Sequence, residues 1–109
     1  MTIRPTIAFD TGETQILPFR VERDGNTFDL TDSQIEWELR QSGQAYLSLD
    51  DPGVEIRSRN DTAGEFEIKI DSGATERIPS QTYEEVVRII DSQDNTSIDV
   101  GRVRLREVK

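Results

Sequence analysis

Apolar and polar side chains alternate along several short segments, and this period of two constrains the fold more than any other feature. In the clearest segment Ile35, Trp37 and Leu39 alternate with charged residues, and the same pattern recurs from Phe66 to Ile70. Because successive side chains of a strand point to opposite faces, each segment predicts a strand with one buried and one solvated face. Helical periodicity is nearly absent.

Six or seven such strands are separated by turn residues. Asp24-Gly25-Asn26 and Asp50-Asp51-Pro52-Gly53 are strong turn signals, and residues 71–79 favour a single helical turn that packs Ile78 against the core. The predicted strands carry Ile16 with Pro18–Val21, Ile35–Leu39, Tyr46–Leu49, Val54–Ile56, Phe66–Ile70, Tyr83–Ile89 and Ile98–Leu105. This order predicts an all-β domain, an immunoglobulin-like antiparallel β-sandwich of two packed sheets.

The chain has 109 residues, which is room for one core only. We expect residues 11–109 to form the sandwich. Residues 1–10 form either an extended arm that adds to a neighbour as a strand, or the first strand of the same sandwich.

The composition removes most catalytic chemistry. The chain has no cysteine and no histidine, so thiolate metal sites, thiol nucleophiles and histidine general bases are absent. Acidic residues cluster at Asp50-Asp51 and at Asp91, Asp94 and Asp99, but without the loop order of a calcium site, which favours solvated turns. We therefore predict no enzyme activity and no catalytic, cofactor-binding or metal-binding residue.

The charge balance is strongly acidic. Thirteen Lys and Arg face 22 Asp and Glu, for a net charge of −9, and this disfavours nucleic acid as a partner. No segment has the length and apolar character of a signal peptide or a membrane span, so we expect a soluble protein that enters no export route by itself and has no membrane partner. Lysine is nearly absent beside arginine, and an acidic, lysine-poor surface favours a protein that works in concentrated salt.

Two residues of the predicted strands need separate interpretation. Trp37 lies in the middle of its strand, which favours a large core side chain over a ligand platform. Glu85 has the same inward parity as Tyr83 and Val87, where an unpaired carboxylate is unfavourable. We therefore expect Glu85 at a sheet edge or in a salt bridge with an arginine.

The order and spacing of these signals also resemble a known domain. The matching segments, in chain order, are Gly12-Glu13-Thr14, Phe19-Arg20-Val21, Asp24-Gly25, Phe28-Asp29-Leu30-Thr31, Ile35-Glu36-Trp37, Gly53–Ile56, Ala63–Phe66, Asp71–Tyr83 and Val100-Gly101-Arg102-Val103. From about Thr11 to Leu105 the chain resembles the N-terminal domain of phage baseplate upper proteins and related tail-fibre and tail-adaptor modules. Glu85 departs from that pattern, because such domains often carry an apolar residue there.

The resemblance implies a non-enzymatic virion structural protein in a tail, baseplate or capsid-associated assembly, made in the host cytoplasm. The acidic, lysine-poor composition adds the expectation of a virus with a salt-adapted host. Its partners would be other virion structural proteins and further copies of itself in a symmetric assembly. The alternative is a carbohydrate-binding or adhesion module. That alternative needs exposed aromatic rings, and only Phe9, Phe28 and Tyr46 are left outside the predicted core.

Overall fold

The computed structural model describes residues 2–3, 8–10 and 12–106. Within these residues the elements are β1 (Thr2–Ile3), β2 (Ala8–Asp10), β3 (Gln15–Arg23), β4 (Asn26–Thr27), β5 (Gln34–Gln41), β6 (Gln44–Ser48), β7 (Val54–Asn60), β8 (Glu65–Ile70), α1 (Ser72–Glu76), β9 (Thr82–Ile90) and β10 (Thr96–Arg106). The seven strands expected from the alternation are all present, and the all-β prediction is confirmed.

The strands form two sheets. Sheet I has the order β1-β3-β8-β7, with β4 also paired to β3, and sheet II has the order β2-β10-β9-β5-β6. The ladders are antiparallel except for β2, which runs parallel to β10. Strand β9 is therefore an interior strand of sheet II, between β10 and β5.

The first ten residues contribute strands to both sheets. In β1, Thr2 and Ile3 pair with Glu22 and Val21 of β3, and β2 pairs with residues 104–106 of β10. These described residues thus pair within their own chain. Residues 1 and 4–7 lie outside the described residues, so the expected addition of this segment to a neighbour stays a prediction.

The inward faces of the two sheets form one hydrophobic core. The Phe19 and Phe66 rings stack with their centroids 4.9 Å apart. Trp37 is 1% exposed, which confirms its predicted place in the core. The buried cluster contains Leu17, Phe19, Val21, Leu30, Ile35, Trp37, Leu39, Leu47, Val54, Phe66, Ile68, Ile70, Ala74, Ile78, Tyr83, Val87, Ile89 and Leu105. Apolar burial on this scale is the main force holding the sheets together.

The expected helical turn is present as α1 and lies beneath the end of the sandwich. Ile78 is buried, as predicted, and Thr75 is fully buried. The Thr75 hydroxyl accepts a hydrogen bond from the Gly12 amide at 2.9 Å and donates one to the Ser72 carbonyl at 2.9 Å. The helix is thereby tied to the chain just before β3.

The loop between β4 and β5 is held by hydrogen bonds between Asp29 and Thr31. The Thr31 amide donates to the Asp29 carboxylate at 2.8 Å and the Thr31 hydroxyl donates at 2.6 Å, which lowers the pKa of Asp29. Leu30 is fully buried beneath them. On the other side of this loop, Arg59 donates to the Leu30 carbonyl at 2.8 Å.

Gly64 lies where three backbone segments converge. Its carbonyl accepts from the Val21 amide at 2.8 Å, and its φ is +66°. A Cβ at this position would lie 2.6 Å from the Phe28 carbonyl oxygen and 2.8 Å from that of Val21. These atoms belong to the backbone and cannot rotate away, so the position requires glycine for both conformation and space.

We predict that Gly64→Ala lowers the free energy of unfolding by about 3 kcal/mol, because a left-handed conformation and a steric clash both act on the alanine. Gly25→Ala is the matched control, since Gly25 also has a positive φ of +80° but a Cβ placed there would meet no atom within 4 Å. Gly25→Ala should lower the free energy of unfolding by about 1 kcal/mol. Equal losses in urea unfolding would show that the close approach at Gly64 does not matter.

Candidate functional site

The outer faces of the two sheets differ in character. On sheet I, cross-strand ion pairs cover the face, joining Arg20 to Glu65 at 3.3 Å and Arg57 to Glu67 at 3.3 Å. Ile16 is an exposed large apolar residue on this face. A face of alternating charges remains well solvated, and exposed pairs of this kind contribute little to stability.

The outer face of sheet II combines a charge network with an apolar strip. Glu38 accepts from Arg40 at 2.9 Å and from Arg88 at 3.3 Å, and Arg88 also lies 3.9 Å from Glu36. The network therefore joins β5 to β9.

The apolar strip consists of Val86, Ile98 and Val100. Ile98 and Val100 are 57% and 56% exposed, and Val100 lies directly across the ladder from Val86. The sequence predicted a strand here but not this exposure. Ile98 and Val100 share a parity opposite to that of the buried Leu105, and that parity was the available signal.

A buried polar contact lies at the centre of the sandwich. The Trp37 indole donates from Nε1 to Oε2 of Glu85 at 2.8 Å, and both side chains are 1% exposed. Because β9 is an interior strand, the expectation that Glu85 lies at an edge is wrong. Its inward parity is correct, and the partner that the structure shows for Oε2 is the indole of β5. This contact satisfies a buried carboxylate oxygen and a buried N–H group at once.

Gly101 lies opposite Glu85 in the register between β9 and β10. The sequence suggested a bulge or a close backbone approach at this glycine. The register runs through Gly101 without a shift, so there is no bulge.

Tyr83 closes the corner that leads into β9. Its ring is 1% exposed and contacts the Tyr46 ring edge-on, with the centroids 5.4 Å apart. Its hydroxyl donates a short hydrogen bond to the Pro79 carbonyl, four residues earlier. Burial raises the pKa of the Tyr83 phenol, and Tyr46 adds to the rise.

The carboxylates of the acidic turns accept hydrogen bonds from backbone amides of the same turns. The Asp91 carboxylate accepts from the amides of Gln93 and Asn95, at 2.9 Å each, and these bonds lower the pKa of Asp91. Asp51 accepts from the Ser48 amide at 2.8 Å. Within the described part of the chain, no group of three or more carboxylates converges as a metal-ligand set. The Asp99 side chain lies outside the described residues.

A shallow depression lies beside a bulge in sheet I. The register between β7 and β8 shifts between Arg57 and Asn60, and Ser58 within this bulge has a φ of +52°. The depression encloses about 260 Å³. Its two carboxylates, Glu65 and Glu67, are engaged with arginines. It is lined by Pro18, Phe19, Ser58, Asn60, Glu65, Phe66 and Glu67.

The aromatic rings needed for sugar binding are mostly covered. Tyr46 and Phe28 both pack against the hydrophobic core, and the Arg23 guanidinium lies 5.2 Å above the centre of the Phe28 ring. The side chain of Phe9 lies outside the described residues. Among the described side chains, the exposed large hydrophobic residues are aliphatic.

Comparison with solved structures shows the fold. The chain is similar to CopC from Methylosinus trichosporium OB3b, with a TM-score of 0.57 and 9% identity over 100% of this chain and 93% of that one. It is also similar to murine CRIg, with a TM-score of 0.55 and 10% identity over 99% and 98% of the two chains. The chain has an immunoglobulin-like fold. A third neighbour, the twitchin kinase region from C. elegans, has a TM-score of 0.53 and 13% identity over 97% of this chain and 15% of that one.

No family model matches this chain, and no curated protein sequence matches it significantly. At these identities the structural neighbours establish the architecture alone. No helix among the described residues is long and apolar enough to cross a membrane.

The immunoglobulin-like frame explains why Trp37, Tyr83 and Glu85 meet. Immunoglobulin domains pack a strand-C tryptophan on an inter-sheet disulfide, and a tyrosine corner lies two residues before the second cysteine. In this chain the tyrosine corner is Tyr83, and Glu85 stands where that cysteine would be. The spacing of Tyr83 and Glu85, together with the central Trp37, was the sequence signal for this arrangement.

We predict that Tyr83→Phe lowers the free energy of unfolding by about 1–2 kcal/mol at neutral pH, because the Pro79 carbonyl loses its donor. In the wild-type chain, Tyr83 ionises near pH 10 when the protein is unfolded. In the folded protein the phenol stays protonated to higher pH. Stability is therefore fully present below about pH 10 and falls as the pH rises further.

Chemical denaturation between neutral pH and pH about 11 measures this dependence. The decrease in the free energy of unfolding at alkaline pH should be smaller in Tyr83→Phe. It should persist in the control Tyr46→Phe, which retains the Tyr83 phenol. The same alkaline slope in native protein and Tyr83→Phe would contradict the assignment.

Proposed function

We propose that this protein is a non-enzymatic virion structural component of a tail, baseplate or capsid-associated assembly, acting through its surfaces. The structural observation that carries the proposal is the apolar strip of Val86, Ile98 and Val100 beside the charge network of sheet II. Ile98 and Val100 of this strip are exposed, whereas Val86 between the charges is only 6% exposed. Exposed apolar residues rimmed by charges are typical of protein–protein contacts. The resemblance to phage baseplate and tail modules supplies the class of assembly.

The polar groups of the interior support a structural role rather than catalysis. Trp37, Glu85 and Tyr83 are buried and bonded to neighbouring groups, where they position strands instead of facing a substrate. The carboxylates of the sheet I depression are paired with Arg20 and Arg57.

The proposed partners are other virion structural proteins and further copies of this chain, with neither nucleic acid nor membrane among them. A net charge of −9 opposes contact with phosphate backbones, which need clustered cations. The same repulsion acts between virion proteins of similar charge. Specific short-range contacts, such as those of an apolar strip, are then needed for assembly.

The carbohydrate-binding alternative has less support. Sugar recognition relies on exposed aromatic faces, whereas Tyr46 and Phe28 are packed against the core. No observation on the described surface favours it over assembly.

The decisive experiment is to purify virus particles from the source of this sequence and measure their protein composition by quantitative mass spectrometry. We expect this protein in the particles at a fixed ratio to the major structural proteins, and labelled antibodies should place it in one ring or layer under the electron microscope. Its absence from particles that are infectious and complete would refute the proposal.

A salt-adapted host is part of the proposal, and the acidic surface supports it. At about 0.15 M salt the Debye length is about 8 Å, and at about 1 M it is about 3 Å, so added KCl screens the self-repulsion of this chain. We predict that the thermal unfolding midpoint rises between these two concentrations. Near the isoelectric point of about 4.4 the net charge vanishes, and the salt effect should shrink. A thermal unfolding midpoint that does not change with salt at neutral pH would count against a salt-adapted host.

A further inference from the structure

The outer face of sheet II has a charge pattern that matches a copy of itself. In the register of β5, β9 and β10, one row contains Glu38, Val86 and Val100. The neighbouring row towards one end contains Glu36, Arg88 and Ile98, and the row towards the other end places Arg40 beside Glu84. Opposite charges therefore lie on either side of the Val86 row, on both β9 and β5.

We propose that two copies of this chain pack through this face, related by a two-fold axis that runs along the Val86 row, perpendicular to the strands. This deepens the proposed function, because it names the contact surface and one partner. The rotation lays β9 on β9 in the antiparallel direction. Arg88 then lies over Glu84 of the second copy, and Glu36 lies over Arg40 of the second copy.

The strip and the network both fit this arrangement. Val100 lies on the axis, where it meets its own copy, and Ile98 lies one row away, so the exposed apolar side chains lie in the contact. Glu38 meets its own copy on the axis, but it is 16% exposed and accepts from two guanidinium groups, which neutralise it. A self-complementary patch of this kind is what a two-fold interface requires.

The charge of the face also favours a second copy. On β5 and β9 the ionisable side chains of this face are Glu36, Glu38, Glu84, Arg40 and Arg88, three negative and two positive, for a net charge of −1. The whole chain carries −9. Little net repulsion therefore acts between two copies of this part of the face. A strongly basic partner would instead be drawn to the acidic remainder of the surface.

The size of the face sets the expected strength. Four strands spaced about 4.8 Å apart and about 30 Å long cover roughly 600 Å² per copy, or about 1,200 Å² in a pair. This lies at the lower limit of specific interfaces, so we expect a weak dimer with a dissociation constant in the micromolar range. High local concentration in a virion ring would then complete the association.

The experiment is sedimentation equilibrium of the full chain at about 0.15 M and about 1 M KCl. We expect a monomer–dimer equilibrium that tightens with salt, since the net repulsion between two acidic chains is screened. Val100→Arg should raise the dissociation constant at least tenfold, because it places a cation in the apolar part of the contact. Ile16→Arg is the matched control, because Ile16 is an exposed aliphatic residue on sheet I, 45% exposed against 56% for Val100, and it should leave the dissociation constant unchanged.

A charge-exchange pair tests the two-fold axis itself. Glu84→Arg alone places arginine over Arg88 of its copy, and Arg88→Glu alone places glutamate over Glu84, so each variant should be at least tenfold weaker as a homodimer. Mixed in equal amounts, the two variants have opposite charges at both positions and should form a heterodimer near native strength. Circular dichroism and thermal unfolding establish that each variant is folded.

Three results would overturn this inference: a native chain that is monomeric at both salt concentrations, loss of dimer by Ile16→Arg as well as by Val100→Arg, or a mixture of the two charge variants no tighter than either alone. The inference and the proposed function fail separately. A chain found in particles but monomeric in solution retains the function and loses this interface. A chain that forms the dimer in solution but is absent from particles retains this interface and loses the proposed function.

Discussion

The contact between the Trp37 indole and the Glu85 carboxylate is the constraint around which this sandwich is arranged. A buried carboxylate requires a donor, and a buried indole N–H requires an acceptor. At 2.8 Å, the contact meets both needs and fixes β5 against β9 in one register. Glu85 stands where the second cysteine of an immunoglobulin inter-sheet disulfide would be, and here its partner Trp37 lies on the neighbouring strand of the same sheet. A cysteine-free chain thus keeps a specific polar link at its centre, on a core otherwise held by apolar burial.

The rigid interior leaves the two outer faces to determine interactions. Sheet I is covered by ion pairs such as Arg20 with Glu65, and such a face is well solvated. Sheet II gathers its charges around Glu38 and leaves Ile98 and Val100 exposed beside them. Covering the second face buries more exposed aliphatic surface than covering the first, where Ile16 is the exposed large apolar residue. This asymmetry is the physical basis for proposing an assembly protein and for the choice of its contact face.

Much of the fold was predictable because it depends on local alternation. The segments around Trp37 and Phe66 predicted half-buried strands, and Asp24-Gly25-Asn26 predicted the turn after β3. The environment of Glu85 was predicted wrongly, because parity showed that its side chain points inward but could not show which strands flank β9. The strip was missed although a local signal existed. Ile98 and Val100 have the parity opposite to that of Leu105, so one of the two sets had to face solvent, and the pairing with β9 decided which.

The sequence by itself determined the strands, the turns, the acidic charge and the exclusion of cysteine and histidine chemistry, because each follows from neighbouring residues or from composition. Only the tertiary structure decided that Glu85 meets Trp37, that Gly64 must lack a side chain, and that Glu84, Val86 and Arg88 align with Arg40, Glu38 and Glu36. Each of these arises where segments distant along the chain come into register. The free energy of such contacts depends on two segments that are distant in sequence, so it cannot be predicted from either segment alone.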